Sequence, residues 1–303
     1  MIVENGTEKT VEQIAPLPKP VRLSLDAFQA KTLIGQGSFG RIFLSIETTT
    51  SSHFAIKQLR KIDIIKMKQI DHLRNEIYIL NSIKHPFIIE MKGFTQNARN
   101  IYIVMEYIAG GELFSLLREE GQFGKAETSF YASNVILALE YLHSCNVIYR
   151  DLKPENLLIG TDGYLRLSDF GFAKVITNRT YTLCGTPEYV APEVIRNTGH
   201  GKGADWWSLG ILLYEMLVGI DPFNADSPME TFKRILRAEL IFPEKFLKDA
   251  KSLIKHLLER DLSKRYGNLI NGFLNRGFGY QNASFFRSYL LGKYTRKEWR
   301  CPL

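Results

Sequence analysis

Residues 149–156 read Tyr-Arg-Asp-Leu-Lys-Pro-Glu-Asn and put an acid, a cation and an amide within one short stretch. Asp151 can accept a proton from a hydroxyl nucleophile. Lys153 can neutralise charge on a moving phosphoryl group, and Asn156 can hold a metal ion through its oxygen. Thirteen positions after Asn156 comes Asp169-Phe170-Gly171, a second metal-seeking carboxylate before a flexible glycine. This set fits phosphoryl transfer, in which a protein mainly positions groups and stabilises charge. The competing explanation, a surface turn with ordinary salt bridges, loses weight against the motifs upstream.

Upstream lies a glycine-rich segment, Gly35-Gln36-Gly37-Ser38-Phe39-Gly40-Arg41-Ile42. Glycines let backbone amides approach phosphates closely. Dinucleotide-binding folds use the same spacing, but there the glycines open a helix. Here they lead into a strand pattern, Arg41–Ile46, and then a second strand holding Phe54-Ala55-Ile56-Lys57. A lysine buried on a strand is costly unless paired. Glu76, on the next helical segment, is its natural partner.

The elements that must position these groups follow from periodicity. Short β-like segments are predicted at Ala30–Ile34, Arg41–Ile46 and His53–Leu59. Asp63–Ile83 is predicted as one helix, with Ile70, Leu73, Ile77 and Leu80 at helical spacing. Two more strands are predicted at Ile88–Phe94 and Ile101–Glu106. After Ala109-Gly110-Gly111 the pattern turns helical, at Leu113–Glu119, Lys125–Ser144, Ala204–Val218 and Met229–Arg237. The expected fold is α+β and bilobal: an N-terminal tail over 1–24, a small β-rich lobe over 25–106, a hinge and larger helical lobe over 107–272, and a divergent segment over 273–303. A cleft between lobes is a favoured ligand site.

Composition narrows the class. With 303 residues, 45% hydrophobic and 23% charged, the chain can bury a large core. Cys145, Cys184 and Cys301 are scattered and suggest neither a disulfide framework nor a zinc site, which points to a reducing compartment, cytoplasmic or nuclear. The most apolar stretch, Trp206–Ile220, is interrupted by Ser208, Tyr214 and Glu215 and reads as a buried helix, not a membrane span. The net charge of +7 is spread along the chain. Its one concentration, Lys57, Arg60, Lys61, Lys66 and Lys68, is interleaved with Leu59, Ile62, Ile64 and Ile65. That reads as a solvated helix face whose apolar residues pack on the core, so no nucleic-acid partner is expected.

Taken in order, the glycine-rich loop, Ala55-Ile56-Lys57, Glu76, Tyr149-Arg150-Asp151, Asp169-Phe170-Gly171 and Ala191-Pro192-Glu193 resemble the signature set of eukaryotic protein kinases. Residues 66–72 (Lys-Met-Lys-Gln-Ile-Asp-His), 104–112 (Val-Met-Glu-Tyr-Ile-Ala-Gly-Gly-Glu), 179–188 (Arg-Thr-Tyr-Thr-Leu-Cys-Gly-Thr-Pro-Glu) and 205–208 (Asp-Trp-Trp-Ser) are similar to the AGC group and its cAMP-dependent branch. The likeness runs from about Leu25 to Gly272, and Tyr149 in place of histidine is typical of that branch.

The resemblance implies a serine/threonine kinase using ATP and Mg2+. It implies that Gly35, Gly37, Ser38, Phe39 and Gly40 cover the phosphates and that Lys57, held by Glu76, contacts them. Asn156 and Asp169 would hold magnesium. Asp151 would orient and deprotonate the substrate hydroxyl while Lys153 balances γ-phosphate charge. Ile42, Ala55 and Leu158 would sandwich adenine, with the Glu106 carbonyl and Ile108 amide on its edge, Met105 behind it and Glu112 near the ribose. Leu80, Met91, Phe170 and Tyr149 would stack into a column joining the lobes.

The resemblance also implies regulation and substrate choice. Thr182 matches an activation-loop phosphosite, with Arg150, Lys174 and His72 as its cations. Glu193 and Arg265 would form a buried ion pair, and Cys184 would be a loop residue. Glu112, Glu155, Glu188 and Glu215 would recognise arginines before the target residue, and Leu183, Pro187 and Val190 would form an apolar pocket for the residue after it. Partners would be basic protein substrates and a cAMP-binding regulatory subunit. The chain departs from the branch at Tyr181, Thr198 and Phe232, which bears on that subunit, and beyond Gly272, where no correspondence is found. The alternatives are a cGMP-dependent-like or other AGC kinase, and a nucleotide-binding scaffold without catalysis, against which intact Lys57, Asp151, Asn156 and Asp169 argue.

Overall fold

The computed structural model describes residues 23–37 and 40–268. The small lobe is built from β1 (Phe28–Gln36), β2 (Gly40–Glu47), β3 (His53–Arg60), α1 (Lys61–Lys66), α2 (Ile70–Ser82), β4 (Met91–Gln96) and β5 (Asn100–Glu106). Its strands form one antiparallel sheet in the order β1-β2-β3-β5-β4. The larger lobe holds α3 (Leu113–Glu120), α4 (Lys125–Ser144), β6 (Val147–Ile148), β7 (Leu157–Ile159), β8 (Leu165–Leu167), β9 (Lys174–Val175), α5 (Pro192–Ile195), α6 (Gly203–Val218), α7 (Pro228–Arg237) and α8 (Lys248–Leu257). The α+β, two-lobed expectation holds.

Sheet register explains how a nucleotide cleft is lined. Ile42 pairs with Lys57, Leu44 with Ala55, and Ala55 with Met105. Side chains alternate across a strand, so Ile42, Ala55, Lys57 and Met105 share one face. Gly40 is required where β2 enters the sheet, because a Cβ there would lie 2.2 Å from the Gln58 carbonyl oxygen.

Three expectations need correction. The helix expected over Asp63–Ile83 is two helices, because Lys68 takes a left-handed backbone (φ +56°) between α1 and α2. In α1 only Ile64 is buried, while Ile62 and Ile65 are exposed and do not pack on the core. The strand expected at Ile88–Phe94 begins at Met91. Ile88 and Ile89 instead pair with Leu167 of β8, in the other lobe. The strand pairs β6–β9 and β7–β8 and the helices α5 and α8 were not foreseen.

The Trp206–Ile220 stretch is a core helix as expected: α6 is buried from Gly203 to Met216. Among the described residues no helix is long and apolar enough to cross a membrane. Glu193 and Arg265 form the foreseen pair, a two-pronged contact at 2.6 and 2.9 Å, both side chains buried. Arg265 also donates to the Glu259 and Gly203 carbonyls, so the buried charge is fully solvated by protein. The expectations for 1–22, for Ser38 and Phe39, and for 273–303 lie outside the described residues.

The segment 84–89 ties the lobes together. Lys84 N donates to Tyr141 Oη (3.0 Å), His85 stacks on Tyr141, and Ile89 N donates to the Leu167 carbonyl (3.0 Å). Burial, helped by Arg166, lowers the His85 pKa to about 4. In the unfolded chain the value is near the ordinary ~6.5. Below that pH the unfolded chain gains a proton that the fold refuses, so stability falls from about pH 6.5 down to about pH 4. The loss attributable to His85 is at most about 3 kcal/mol. Urea midpoints at pH 7.5 and 4.5 should therefore differ less for His85→Asn than for the unmodified chain. An equal difference would show that His85 does not cause it.

Candidate active site

Glu76 is placed by the same periodicity that forms α2. Leu73, Ile77 and Leu80 make its buried stripe, and Glu76 lies within that stripe. A carboxylate there needs a cation, and Lys57 Nζ sits 2.7 Å from its Oε1. Asp169 Oδ1 is 3.4 Å from the same nitrogen. Burial works to lower the Lys57 pKa, but the Glu76 and Asp169 carboxylates outweigh it and the net shift is upward. The ammonium therefore stays charged. Lys57, aided by the Gly171 amide, holds the Asp169 carboxyl below its usual range although burial opposes this. Asp169 keeps half its side-chain surface exposed, with oxygen available to a cation.

The 149–156 segment is held from below by Asp205, near the start of α6. Its carboxylate accepts from Tyr149 N (3.0 Å) and Arg150 N (2.8 Å), and meets His143 Nε2 at 2.7 Å. This grip stabilises Arg150 in a left-handed backbone (φ +71°), which turns the next residue, Asp151, back toward Thr186. Asp151 is buried among three partners: Asn156 Nδ2 at 2.8 Å, Thr186 Oγ1 at 3.0 Å and Lys153 Nζ at 3.2 Å. Lys153 also donates to Thr186 Oγ1 at 2.8 Å. Because the Asn156 amide nitrogen is engaged by Asp151, its oxygen is the group left for a metal. Two oxygen-bearing residues suit magnesium, which keeps water and phosphate in its remaining positions. Tyr149 donates through Oη to the Ser168 carbonyl, and burial raises its phenol pKa so that it stays a donor.

A buried carboxylate beside a hydroxyl, a lysine within reach, and a second acid held by a strand lysine form a phosphoryl-transfer arrangement. The protein kinase domain model matches residues 28–276. The chain belongs to the protein kinase family. It is 50% identical over 286 residues to cAMP-dependent protein kinase type 3 of Saccharomyces cerevisiae, covering 93% of this chain and 71% of that protein. It is 47% identical over 255 residues to cAMP-dependent protein kinase catalytic subunit PRKX of Homo sapiens, covering 84% and 71%. A third relative, the cAMP-dependent protein kinase catalytic subunit of Dictyostelium discoideum, is 47% identical over 261 residues, 86% of this chain but 40% of that protein. The chain is an ATP-dependent serine/threonine kinase.

The rest of the kinase cleft assembles around this centre. Leu158 faces the hinge because Glu112 bridges to it and residues 110–111 hydrogen-bond to Ile159. Gly110 is needed there, since a Cβ would lie 2.4 Å from the Ile159 carbonyl oxygen. Leu80, Met91, Tyr149 and Phe170 are all buried in one core cluster, with the Tyr149 and Phe170 rings edge to face at 5.3 Å.

The four expected acids behave differently. Burial first, then Glu155, raises the Glu112 pKa, so these two carboxylates are neighbours. Glu215 is buried, accepts from Tyr189 Oη, and has Arg118 at 3.9 Å. Its pKa is raised by burial, with Asp221 and Glu155 contributing. Glu188 joins the group through Asp221. Leu183 is exposed, Pro187 half-buried and Val190 buried. Thr182 is exposed, while His72 has Arg150 and Lys174 as electrostatic neighbours. Among the described residues His72 Nδ1 and Arg150 Nη1 are buried without a hydrogen-bond partner. Cys184 does lie in the loop, and burial raises its thiol pKa, which disfavours the reactive thiolate.

Sequence reasoning missed Thr186, Asp205 and Asp221. Asp205 was visible only inside a quoted motif. Thr186 lay in another, four residues after Thr182, with nothing to mark its hydroxyl as a partner of Asp151. We expect Asp151→Asn to lower kcat at least about 100-fold, the scale of lost general-base assistance. Nucleotide binding, titrated directly, should survive. Near-normal turnover by this variant would show that Asp151 is not the base.

Proposed function

We propose that this kinase transfers the γ-phosphate of ATP to serine or threonine in arginine-rich protein substrates, under control of a cAMP-binding regulatory subunit. The observation that carries the reading is the Asp151–Thr186–Lys153 cluster beside the Lys57–Glu76–Asp169 triad. Asp151 takes the proton of the substrate hydroxyl as its oxygen attacks phosphorus, and the phosphorus–oxygen bond to the departing ADP breaks. Lys153 balances charge on the transferred group, and Lys57 holds the α- and β-phosphates. Asn156 and Asp169 would hold magnesium, which when bound neutralises phosphate charge. Ile42, Ala55 and Leu158 enclose adenine, Met105 limits the pocket, and the Glu106 carbonyl and Ile108 amide take its edge. Gly35, Gly37 and Gly40 lie over the phosphates.

Preference for arginine rests on the acidic neighbours. Glu112 and Glu215 are both pushed toward the neutral form, and Glu155 contributes to each shift. A guanidinium placed among them relieves that repulsion and can bind bidentately. Glu155 and Glu215 would take the arginine two residues before the target, and Glu112 the one three before. Glu188 extends the acidic surface, while Leu183, Pro187 and Val190 receive the following residue. The regulatory partner is inferred from the relatives' names alone, and the exposed Tyr181 and Thr198 with Phe232 would form the part of that interface particular to this chain.

The testing experiment is phosphate transfer to a serine peptide with two upstream arginines, with and without a cAMP-binding regulatory subunit and cAMP. Inhibition relieved by cAMP is expected, and inhibitor-indifferent activity removes the regulatory half. Glu155→Gln should raise KM about tenfold for the arginine peptide and little for one lacking arginine, as loss of one specific ion pair requires. Equal effects on both peptides would remove the arginine preference. Thr182 should carry phosphate in the active enzyme, where His72, Arg150 and Lys174 would partner it. Mass spectrometry finding Thr182 unmodified in fully active protein would overturn that assignment.

A further inference from the structure

Glu106, the last residue of β5, grips one neighbour with both ends. Its backbone N donates to the Glu90 carbonyl at 3.0 Å, and its Oε1 accepts from Glu90 N at 2.7 Å. The Glu90 carboxylate takes no part in this ring. It is occupied by Lys92 at 2.6 Å and Lys84 at 3.7 Å, and these lysines hold its pKa down. Glu90 therefore offers Glu106 only main-chain groups.

The ring reaches the larger lobe. Next to Glu90, Ile89 N donates to the Leu167 carbonyl (3.0 Å), and Leu167 N donates to the Phe87 carbonyl (2.9 Å). Leu167 closes β8, two residues before Asp169. Glu106 also lines a cavity of about 190 Å³ together with Lys84, His85, Glu90 and Arg166. The contact that holds its carboxylate is the hydrogen bond from Glu90 N.

We propose that the Glu106 carboxylate is a positioning residue for the nucleotide. By holding the Glu90 amide it fixes the peptide at the start of the hinge, so that the Glu106 carbonyl and Ile108 amide meet the adenine edge in register with Asp169. This rests on the adenine-edge reading given above. Through this bond Glu106 acts on the main chain of the hinge.

The test uses the full chain and two readouts: fluorescence titration with a ribose-labelled ATP, and steady-state transfer to the arginine peptide. Glu106→Ala should weaken labelled-ATP binding and raise the KM for ATP about tenfold, equivalent to about 1.4 kcal/mol. The KM for peptide should move less than about twofold and the melting temperature less than about 3 °C. Glu106→Gln, which keeps the acceptor oxygen, should recover most of the loss. Glu90→Ala should leave nucleotide affinity within about twofold, because the donor is main-chain. Unchanged affinity in Glu106→Ala overturns the inference. So does a Glu106→Gln variant no better than alanine, or a fall in melting temperature with both KM values raised. Labelled-ATP binding without transfer by the unmodified chain would instead overturn the catalytic reading, and the titration would still decide the inference. An unmodified chain that binds no nucleotide would overturn both.

Discussion

One half-buried cation, Lys57, ties the two lobes together. Lys57 stands on a sheet strand, Glu76 on a helix of the same lobe, and Asp169 on the far side of the cleft. Removing an ammonium from water is expensive, and the expense is offset only when carboxylates surround it. Both carboxylates must therefore come to Lys57, which fixes the distance of α2 from the sheet and the approach of the Asp169 loop. The upward shift of the Lys57 pKa shows that its partners outweigh its burial. The same arithmetic makes the arrangement sensitive. A rotation of α2 that withdrew Glu76 would leave Lys57 with the longer, more exposed Asp169 contact.

The larger lobe answers with a rigid floor. Asp205 fixes two consecutive amides of the catalytic segment, and Arg265 and Glu193 anchor the segment that follows Thr186. α6 carries Asp205 within a helix buried along most of its length, so the floor has little freedom. The exposed parts lie on the other side. Asp169 is half-exposed and in a left-handed backbone, Thr182 is exposed, and among the described residues His72 Nδ1 and Arg150 Nη1 are buried without a hydrogen-bond partner. Strain and unsatisfied donors in this region suit a loop whose ordering depends on added negative charge.

Much of this was legible from residue order. Lys57 and Glu76 could be paired because a lysine on a strand after the glycine-rich loop needs a carboxylate, and Glu76 stands on the next helical segment. The Glu193–Arg265 pair and the buried α6 were legible too, the pair through family resemblance and the helix through composition. What stayed hidden depended on contacts between distant segments. Ile88 and Ile89 read as part of a strand because they are apolar and β-branched, yet their partner is Leu167, across the lobe boundary. The break at Lys68 has no glycine or proline to announce it. Thr186 and Asp221 are ordinary loop residues until Asp151 and Glu188 are placed beside them. The domain limits drawn at 24, 106 and 272 rest on composition and resemblance.

The most direct measurement is single-turnover γ-phosphate transfer from MgATP by Lys57→Met, with thermal unfolding followed in parallel. With its cation removed, buried Glu76 takes up a proton instead of remaining charged, so the fold should persist with a modestly lowered melting temperature. Transfer should fall at least about 100-fold, because Lys57 is required for charge placement on the nucleotide. A folded Lys57→Met chain that transfers phosphate at the unmodified rate would contradict the role given to the triad.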